Sequence, residues 1–437
     1  MSAPIHFPST LGKLDPTFGD SGQLSLPWPE GGAFYQENMA VDAQGNLLIC
    51  GQATQRGGEL LYACLRLKPD GELDKSFGVN GFAMGVYDYD KNPHSESGAQ
   101  NIIVLPDGKI LLGGINYRAD PLSDHGMARL NADGSLDHSF GINGTVQIDR
   151  PYLSNAQATV RHLPRHRETR NLPDWFGGRN MCVLDDGRIV MLMEFTLSLP
   201  VVYGLVCVRP NGKLDSGFGD AGYAQIANDP LLWVRYHSVI AAEDGKIAVC
   251  GYGDNDNGYR TSAILLKFTG KGVPDQGFAD KGVLLFPKNN PTAFNQFYGI
   301  AVQPNKRLLV CGTIGSNDSS RKNEALLMSF EPDGSPNIQF NRGQPLAAII
   351  DGADSVWSAA MVVQPEAKIM LIGFSTDQQF TFTRVLSDGI PDKKFAKGHA
   401  ATHYPVVHYR WYSAPAQFHG NRIYFMYQAQ LYCGLID

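Results

Sequence analysis

The chain has 437 residues, of which 43% are hydrophobic and 18% charged, and it contains 48 glycines and 26 prolines. This composition is typical of a globular protein rich in turns, and the formal net charge of −6 argues against a general surface for nucleic acid or anionic membranes. No stretch reaches the roughly 18 consecutive apolar residues of a membrane-spanning helix, so we expect no membrane span. The first ten residues lack the basic and apolar segments of a secretory signal. We therefore expect a cytoplasmic protein, or one exported without a conventional signal peptide.

A short phrase, called the anchor here, returns seven times along the chain. Its clearest copies are GELDKSFGVNG (71–81), GSLDHSFGING (134–144) and GKLDSGFGDAG (212–222), and fainter copies begin near residues 11, 272, 334 and 389. The anchor phenylalanines are 55 to 78 residues apart, a period that indicates a repeat architecture: Phe18, Phe77, Phe140, Phe218, Phe278, Phe340 and Phe395. We expect one domain that spans residues 1–437.

Each repeat contains four strand-like runs. A short run follows the anchor, as at 82–86, and a tight hairpin such as NIIVLPDGKILLGG (101–114) comes after a variable loop. The Asp-Gly centre of that hairpin suits a turn with positive φ. A fourth run then leads into the next anchor. Four antiparallel strands in each of seven repeats predict an all-β fold, a seven-bladed β-propeller.

The order of the strands within a blade follows from the hairpins. If each tight hairpin joins the two innermost strands, then hairpins and anchors lie on one face and the variable loops lie on the other. Because loops on a rigid scaffold carry recognition, we expect binding on the loop-rich face. The chain would then begin with an outer strand near Gln23–Leu26, and the last blade would lack its own. We predict that the N-terminal strand completes the C-terminal blade and closes the ring.

The anchors resemble those of the delta-60 repeat family, whose copies carry a similar Asp-Gly-x-Leu-Asp-x-x-Phe-Gly phrase. The resemblance covers Leu11–Gly398 in anchors and the final blade by its strand pattern. It implies a propeller-like repeat fold and brings no shared catalytic residues. The later copies depart from the phrase at Asn337, Ala279, Asn341 and Ala396.

The anchor residues have a structural interpretation. An Asp at the head of a turn accepts hydrogen bonds from the amides ahead of it, and the Phe three residues on can pack between blades. The cysteines recur at strand positions, as Cys50, Cys250 and Cys311 show, which indicates small apolar residues on buried strands.

A second set of positions varies from blade to blade. It lies just before each innermost strand, eight residues before the hairpin glycine or its equivalent, and should surround the mouth of the central channel: Glu37, Gln100, Arg179, His237, Tyr298, Ala359 and Tyr412. Neighbours in sequence add Tyr35, Trp175, Arg235, Tyr236, Trp357, Arg410 and Trp411. Converging polar groups with aromatic walls are typical of a ligand site. The candidate ligand-binding residues are therefore Glu37, Gln100, Arg179, His237, Tyr298, Trp357, Tyr412, Arg235 and Trp175, although every propeller mouth has some polar residues.

Three asparagines, Asn38, Asn101 and Asn180, follow the variable position in consecutive blades. With Glu37 they could offer oxygen ligands to a divalent cation, as in propeller lactonases. We prefer the interpretation that they form hydrogen bonds between neighbouring blades, and we predict no metal site, no other cofactor and no assigned catalytic residue. His237 could act as a general acid or base, but a hydrogen-bonded structural histidine is the more common case.

An insertion at about 150–179 stretches the spacing between the third and fourth anchors. It contains six Arg and two His against Glu168 and Asp174, in a chain that is acidic overall. The segment is either a solvated surface loop or a lid that binds anions, because arginine presents a fork suited to carboxylate or phosphate.

Three functions remain open at this point. The first hypothesis is a non-catalytic binding or scaffold propeller that recognises a protein, or an anionic or sugar-like ligand, on the loop-rich face. The second is a propeller enzyme, lactonase-like or lyase-like, with its site at the channel mouth. The third is a structural partner in a secreted-effector or surface assembly. We expect a monomer whose partner is a protein or a small anionic or carbohydrate ligand, with no nucleic acid.

Overall fold

The computed structural model describes most of the chain. The described residues are 4–28, 32–54, 58–88, 95–117, 124–151, 179–195, 201–227, 231, 233–254, 261–287, 293–316, 321–363, 366–375, 379–407, 415–427 and 430–436. Their regular structure is β-strand, apart from three short 3-10 turns at Glu243–Gly245, Asn341–Gly343 and Ala396–Gly398. None of these residues forms a helix of the length and apolarity that crossing a bilayer requires.

The strands form seven sheets. The N-terminal segment provides β1 (Ile5–Phe7), β2 (Thr10–Leu11) and β3 (Gln23–Ser25). The first three blades are β4 (Ala33–Val41), β5 (Leu47–Thr54), β6 (Leu60–Leu67) and β7 (Phe82–Gly85); β8 (Glu96–Val104), β9 (Ile110–Tyr117), β10 (Asp124–Leu130) and β11 (Thr145–Ile148); and β12 (Met181–Val183), β13 (Ile189–Glu194), β14 (Tyr203–Val208) and β15 (Tyr223–Gln225).

The remaining blades follow the same pattern. Blades four to six are β16 (Trp233–Ala241), β17 (Ile247–Asp254), β18 (Thr261–Phe268) and β19 (Val283–Phe286); β20 (Ala293–Val302), β21 (Leu308–Ser316), β22 (Glu324–Phe330) and β23 (Leu346–Ile350); and β24 (Ser355–Val363), β25 (Lys368–Ser375), β26 (Gln379–Val385) and β27 (Ala401–Val407). The seventh blade contains β28 (Ala416–His419), β29 (Arg422–Tyr427) and β30 (Gln430–Leu435), with β3 as its outer strand.

The predicted order of strands is confirmed. In every blade the tight hairpin joins the first two strands, and in five of the seven neighbouring pairs of blades the first strands contact one another, so they are the innermost. Side chains link these strands around the ring. The Asn101 Oδ1 accepts the Asn180 amide at 3.1 Å between blades two and three, and the Gln417 side chain donates to the Met39 carbonyl at 2.9 Å between blades seven and one. The fold is therefore a seven-bladed β-propeller of four-stranded antiparallel blades.

The N-terminal segment closes the ring as predicted, and it also does more. β3 pairs antiparallel with β30, where Gln23 faces Tyr432. Before that, β1 lies parallel to β23 and β2 lies parallel to β27, so the segment covers the outer edges of blades five and six. The Phe7 ring is buried against Trp357, edge to face, with centroids 6.3 Å apart. These added strands cover edges that would otherwise be open to pairing.

The anchors have the structural role that their residue types indicated. Each anchor Asp, or Asn337 in the fifth blade, accepts the amide of the residue two positions on, at 2.9 to 3.3 Å. All seven anchor phenylalanines are buried. The amide just after the ring then donates to the neighbouring blade, as Gly141 does to the Asn211 carbonyl at 2.8 Å. The anchor is therefore an inter-blade contact as well as a turn.

A cation strengthens this contact, and we did not predict it. The Arg129 Nε lies 2.7 Å from Asp137, its Nη1 donates to the Pro210 carbonyl of the next blade at 2.5 Å, and its guanidinium lies 4.6 Å from the centroid of the Phe140 ring. Arg66 makes the equivalent contacts with Asp74, Ala132 and Phe77. One side chain thus joins the turn, its aromatic ring and the adjacent blade. The seven cysteines are buried free thiols, as their strand positions indicated.

Candidate functional site at the channel mouth

The variable ring position is a β-bulge. In five blades the innermost strand has one extra residue at this position, so that two of its residues face one residue of the second strand. The extra residues are Glu37, Gln100, His237, Tyr298 and Ser358. A bulge interrupts the alternation of side chains and changes the direction of the one it carries. Five blades therefore carry a different residue at the equivalent bulge position.

Each bulge lies opposite a glycine of the second strand. A Cβ built on these glycines would lie 1.8 to 2.1 Å from a backbone carbonyl oxygen of the bulged strand, which no side chain could tolerate: Gly51, Gly114, Gly251, Gly312 and Gly373. In blades three and seven Met193 and Met426 take the glycine position. The described inner strands there begin after the ring position, at Met181 and Ala416. The recurrent glycine therefore makes room for the bulge.

The ring residue of the sixth blade differs from the one we predicted. The bulge residue is Ser358 instead of Ala359, because the hairpin between the bulge and the opposite glycine contains one more residue in this blade, so the count from the hairpin slips by one. Ala359 pairs with Ile372 instead. Trp357 is fully buried, and its Nε1 donates to the Thr383 Oγ1 at 3.3 Å. The structure thus places this tryptophan in the core between Phe7 and the blade and not at the channel wall.

Blades four and five bring several ring residues together. His237 stacks on Tyr252, with centroids 5.3 Å apart and planes at 23°, and its ring also lies 5.3 Å from that of Tyr298. Trp233 contacts Tyr252 edge to face at 5.8 Å, and Arg235 lies directly opposite Tyr252 in the strand register. We call these five residues the aromatic–arginine cluster. The bulge at His237 produces it, because the bulge turns the imidazole toward both tyrosines.

The ring carries little negative charge at neutral pH. Burial raises the pKa of Glu37 to about 8, so its carboxyl is mostly protonated at pH 7. Burial and the nearby Arg235 lower the pKa of His237 to about 3, so the imidazole is neutral. Arg179 is solvent-exposed, and a guanidinium stays charged in proteins. At pH 7 the charges of the described ring residues are therefore those of Arg179 and Arg235.

Hydrogen bonds occupy part of the ring. The Tyr298 hydroxyl donates to the side-chain oxygen of Gln296. The Asn38 Nδ2 donates to the Gln100 carbonyl of the next blade at 3.3 Å. Two of the three asparagines thus form the inter-blade hydrogen bonds that we preferred over cation binding, since Asn101 does the same with Asn180. The described residues contain no cluster of three or more His, Cys, Asp or Glu side chains that could hold a metal ion.

Other predicted site residues fall elsewhere. Trp175 and Tyr412 lie outside the described residues, as do 152–178 of the insertion, Arg410 and Trp411. Tyr35 is exposed on β4, two residues before Glu37. Tyr236 is buried on the other side of its strand, edge to face with Tyr203 at 5.3 Å.

Sequence reasoning missed Trp233 and Tyr252. Tyr252 follows Gly251, and the residue after the bulge glycine also differs between blades: Gln52, Ile115, Tyr252, Thr313 and Phe374. A search for variable positions on the second strand would have identified it. In the first blade the equivalent Gln52 donates to the Tyr117 hydroxyl of the second blade at 3.1 Å. This second set of variable positions therefore also bridges neighbouring blades.

Comparison with known proteins supports the fold class. The model of a family described as a domain of unknown function (DUF5122) beta-propeller matches residues 45–77 and 105–140, two segments that end at the anchor phenylalanines Phe77 and Phe140. No curated protein sequence matches this chain.

Solved structures agree at low identity. The polysaccharide lyase Uly1 is similar at 11% identity, with 92% of this chain and 89% of that chain covered and a TM-score of 0.50. The β-propeller domain of the trilobed protease from Pyrococcus furiosus shares 10% identity, with 92% of this chain and 93% of that chain covered and a TM-score of 0.45. Drosophila semaphorin 2a shares 8% over 98% and 76%, also with a TM-score of 0.45. The likeness to Uly1 shows the fold alone, and proteins of unrelated functions share this fold.

Proposed function

We propose that this protein is a non-catalytic binding propeller that recognises an anionic, sugar-like ligand at the channel mouth. The observation that carries the proposal is the aromatic–arginine cluster, whose residues lie on β16 and β17 of the fourth blade and on β20 of the fifth. Side chains on loops would have to become ordered when the ligand binds, whereas side chains on the strands of a packed blade are already ordered before binding. Pre-organisation of this kind lowers the entropic cost of binding.

The charge and shape of the cluster define the ligand class. Arg235 offers a fork that matches a carboxylate or sulfate, and Trp233 and Tyr252 offer flat apolar surfaces beside it. With Glu37 mostly protonated at pH 7, no described carboxylate of the ring opposes an anion. An acidic sugar combines one anionic group with an apolar ring face, so it fits both features.

A propeller enzyme is the second candidate, and Glu37 is the observation that favours it. A carboxyl with a pKa of about 8 is poised to donate a proton near neutral pH. His237 counts against this candidate, because an imidazole with a pKa of about 3 is a weak base at pH 7. We therefore place binding first. We also propose, on the strength of the seven anchors, that the repeats are of the delta-60 type.

The test uses trigalacturonate as an acidic probe and maltotriose as its neutral counterpart. We expect titration calorimetry to show binding of the acidic probe alone, weakened by salt. Arg235→Gln should weaken it about tenfold, as the loss of one charge-assisted hydrogen bond predicts. Arg209→Gln is the matched control, because Arg209 is half exposed at the anchor of the third blade and pairs with Asp215, away from the mouth.

Two results would contradict binding as the function. Equal affinity of the native protein and the Arg235→Gln variant for trigalacturonate would remove the role of the cluster. Breakdown of the probe during incubation, lost in Glu37→Gln, would favour the enzyme.

A further inference from the structure

A groove of about 360 Å³ crosses the outer rim of the second blade, away from the channel. Its floor is the outer strand β11, from Thr145 to Gln147. Tyr87 and Asp88 bound one end, and Ile142 with the turn Gly212–Leu214 bounds the other. Ile142 and Leu214 are 61% and 37% exposed and together form an apolar notch beside the strand.

The edge of β11 has unused hydrogen-bonding groups. The Gly144 carbonyl accepts the Arg129 amide of β10 at 2.9 Å, so Gly144, Val146 and Ile148 face inward and the residues between them face outward. Thr145 exchanges its outward groups with Ile142, at 2.8 and 3.2 Å. The outward N–H and C=O of Gln147 have no partner among the described residues. An edge of this kind can accept another strand.

The chain itself shows how such an edge is used. In the sixth blade β2 lies parallel to the outer strand β27, where the Gly12 amide donates to the His403 carbonyl at 2.8 Å. The Thr402 Oγ1 donates to the Thr10 carbonyl at 2.9 Å. In the fifth blade β1 pairs with β23 in the same orientation.

Gln147 occupies the position of His403. In each blade the alignment starts from the arginine that binds the anchor aspartate, Arg129 in the second blade and Arg384 in the sixth. The residue just before each arginine, Ala128 or Thr383, faces Thr145 or Ala401 on the outer strand. Gln147 and His403 each lie two residues beyond these outer-strand residues. The groove of the second blade is thus at the position where, in the sixth blade, β2 pairs with the outer strand β27.

We propose that the groove of the second blade is a docking site for an extended peptide segment of another protein, which adds to β11 as a parallel strand. Main-chain hydrogen bonds to Gln147 hold the segment, and an aliphatic or aromatic side chain fills the notch between Ile142 and Leu214. The N-terminal segment binds to the fifth blade in the same manner: its backbone pairs with β23, and the side chain of Phe7 is buried. The site is separate from the channel mouth and independent of what binds there.

The third blade provides a matched control. Gln225 faces Gly204 on β15 as Gln147 faces Gly126 on β11, so the two glutamines are equivalent. In the third blade, however, Asp220 stands where the second blade has Ile142. A charged residue at that point disfavours an apolar side chain, so we expect no docking there.

The experiment uses a fluorescein-labelled peptide with the sequence of residues 4–12, which pairs in this way within the chain. We expect saturable binding in fluorescence anisotropy. Gln147→Pro should weaken it about tenfold, because proline removes the outward N–H. Proline is tolerated at edge positions whose N–H faces solvent, so the blade should still fold. Gln225→Pro should bind like the native protein.

A second variant keeps the test decisive if Gln147→Pro fails to fold. Ile142→Asp copies the third blade at an exposed position and should also lose the peptide. The proposal is overturned if no binding is seen up to about 1 mM peptide. It is also overturned if both variants bind as the native protein does, or if Gln225→Pro loses binding equally. A native dimer that Ile142→Asp dissociates would identify a second copy as the occupant and likewise overturn it.

Discussion

Replacing Gly251 by alanine tests whether the bulge glycine positions the ring. A Cβ at this position would lie 2.1 Å from the Arg235 carbonyl oxygen and 2.8 Å from the Tyr236 Cα. Both atoms belong to the backbone, so no side-chain rotation can relieve the overlap. The two strands must separate or the bulge must shift, and overpacking of this kind costs about 1 to 3 kcal/mol. The displaced residue would be His237, which holds the aromatic–arginine cluster together.

The assay compares urea unfolding of Gly251→Ala with that of Gly217→Ala. The nearest atom to a Cβ on Gly217 is the Asp215 Oδ1 at 3.6 Å, an ordinary contact, so this control should change the free energy of unfolding by less than about 0.5 kcal/mol. We expect Gly251→Ala to unfold at a lower urea concentration and to bind trigalacturonate more weakly. If the two variants had the same unfolding midpoint and the same affinity, the bulge would not depend on the glycine and our account of the ring would be refuted.

Three further predictions concern the anchor, the closure and the charge of the ring. Phe140→Ala should lower the free energy of unfolding by about 3 to 5 kcal/mol, because the ring is fully buried beneath Arg129; an unchanged denaturant midpoint would contradict this. Deletion of residues 1–27 removes β1, β2 and β3 and opens the edges of three blades, so light scattering should detect aggregation; a monodisperse protein with native melting would show that these strands are dispensable. Anion affinity should fall as the pH rises through about 8, because Glu37 is protonated below its pKa and repels the ligand above it; Glu37→Gln should lack this step in a pH series of titrations.

The scaffold was predictable because its determinants are local and recur. The conformation of the Asp-Gly hairpins and of the anchor turns is determined by a few neighbouring residues, and the seven copies of the anchor reveal the length of the repeat. Closure by β3 followed from counting strands in the first and last repeats. The additional strands β1 and β2 were not predictable in the same way, since three-residue and two-residue strands have no periodicity of their own. They pair only because the closing segment passes along two outer edges.

The sequence identified the ring residues by counting from the hairpin but did not predict that they form bulges. Glu37, Gln100, His237 and Tyr298 are both the counted residues and the bulge residues, because the distance from hairpin to bulge is constant in those blades. The count failed at Ser358, where the hairpin between the bulge and the opposite glycine has one more residue. Trp357 shows the effect of an error of one residue, because neighbouring residues of a strand point to opposite sides and this side chain is buried in the core.

The cations of the anchors could have been found from the sequence. Arg66, Arg129 and Arg384 each precede the anchor Asp by eight residues. In the fifth blade Asn337 replaces the Asp, and Ser329 replaces the Arg at the same distance. The structure shows the reason, since the Asn337 Nδ2 donates to the Ser329 Oγ at 3.0 Å, a neutral hydrogen bond in place of an ion pair. In this blade the correlated change at the two positions thus corresponds to a direct contact.

The bulge explains how one scaffold can carry a ring that differs in every blade. The glycine opposite the bulge is needed by the backbone alone, so it recurs, whereas the bulge residue differs in each of the five blades. Its side chain can therefore change between carboxylate, amide, imidazole, phenol and hydroxyl while the blade stays the same. In blades three and seven, Met193 and Met426 take the position of this glycine. The recurrent glycine thus identifies the variable position, because the bulge residue lies opposite it on the innermost strand.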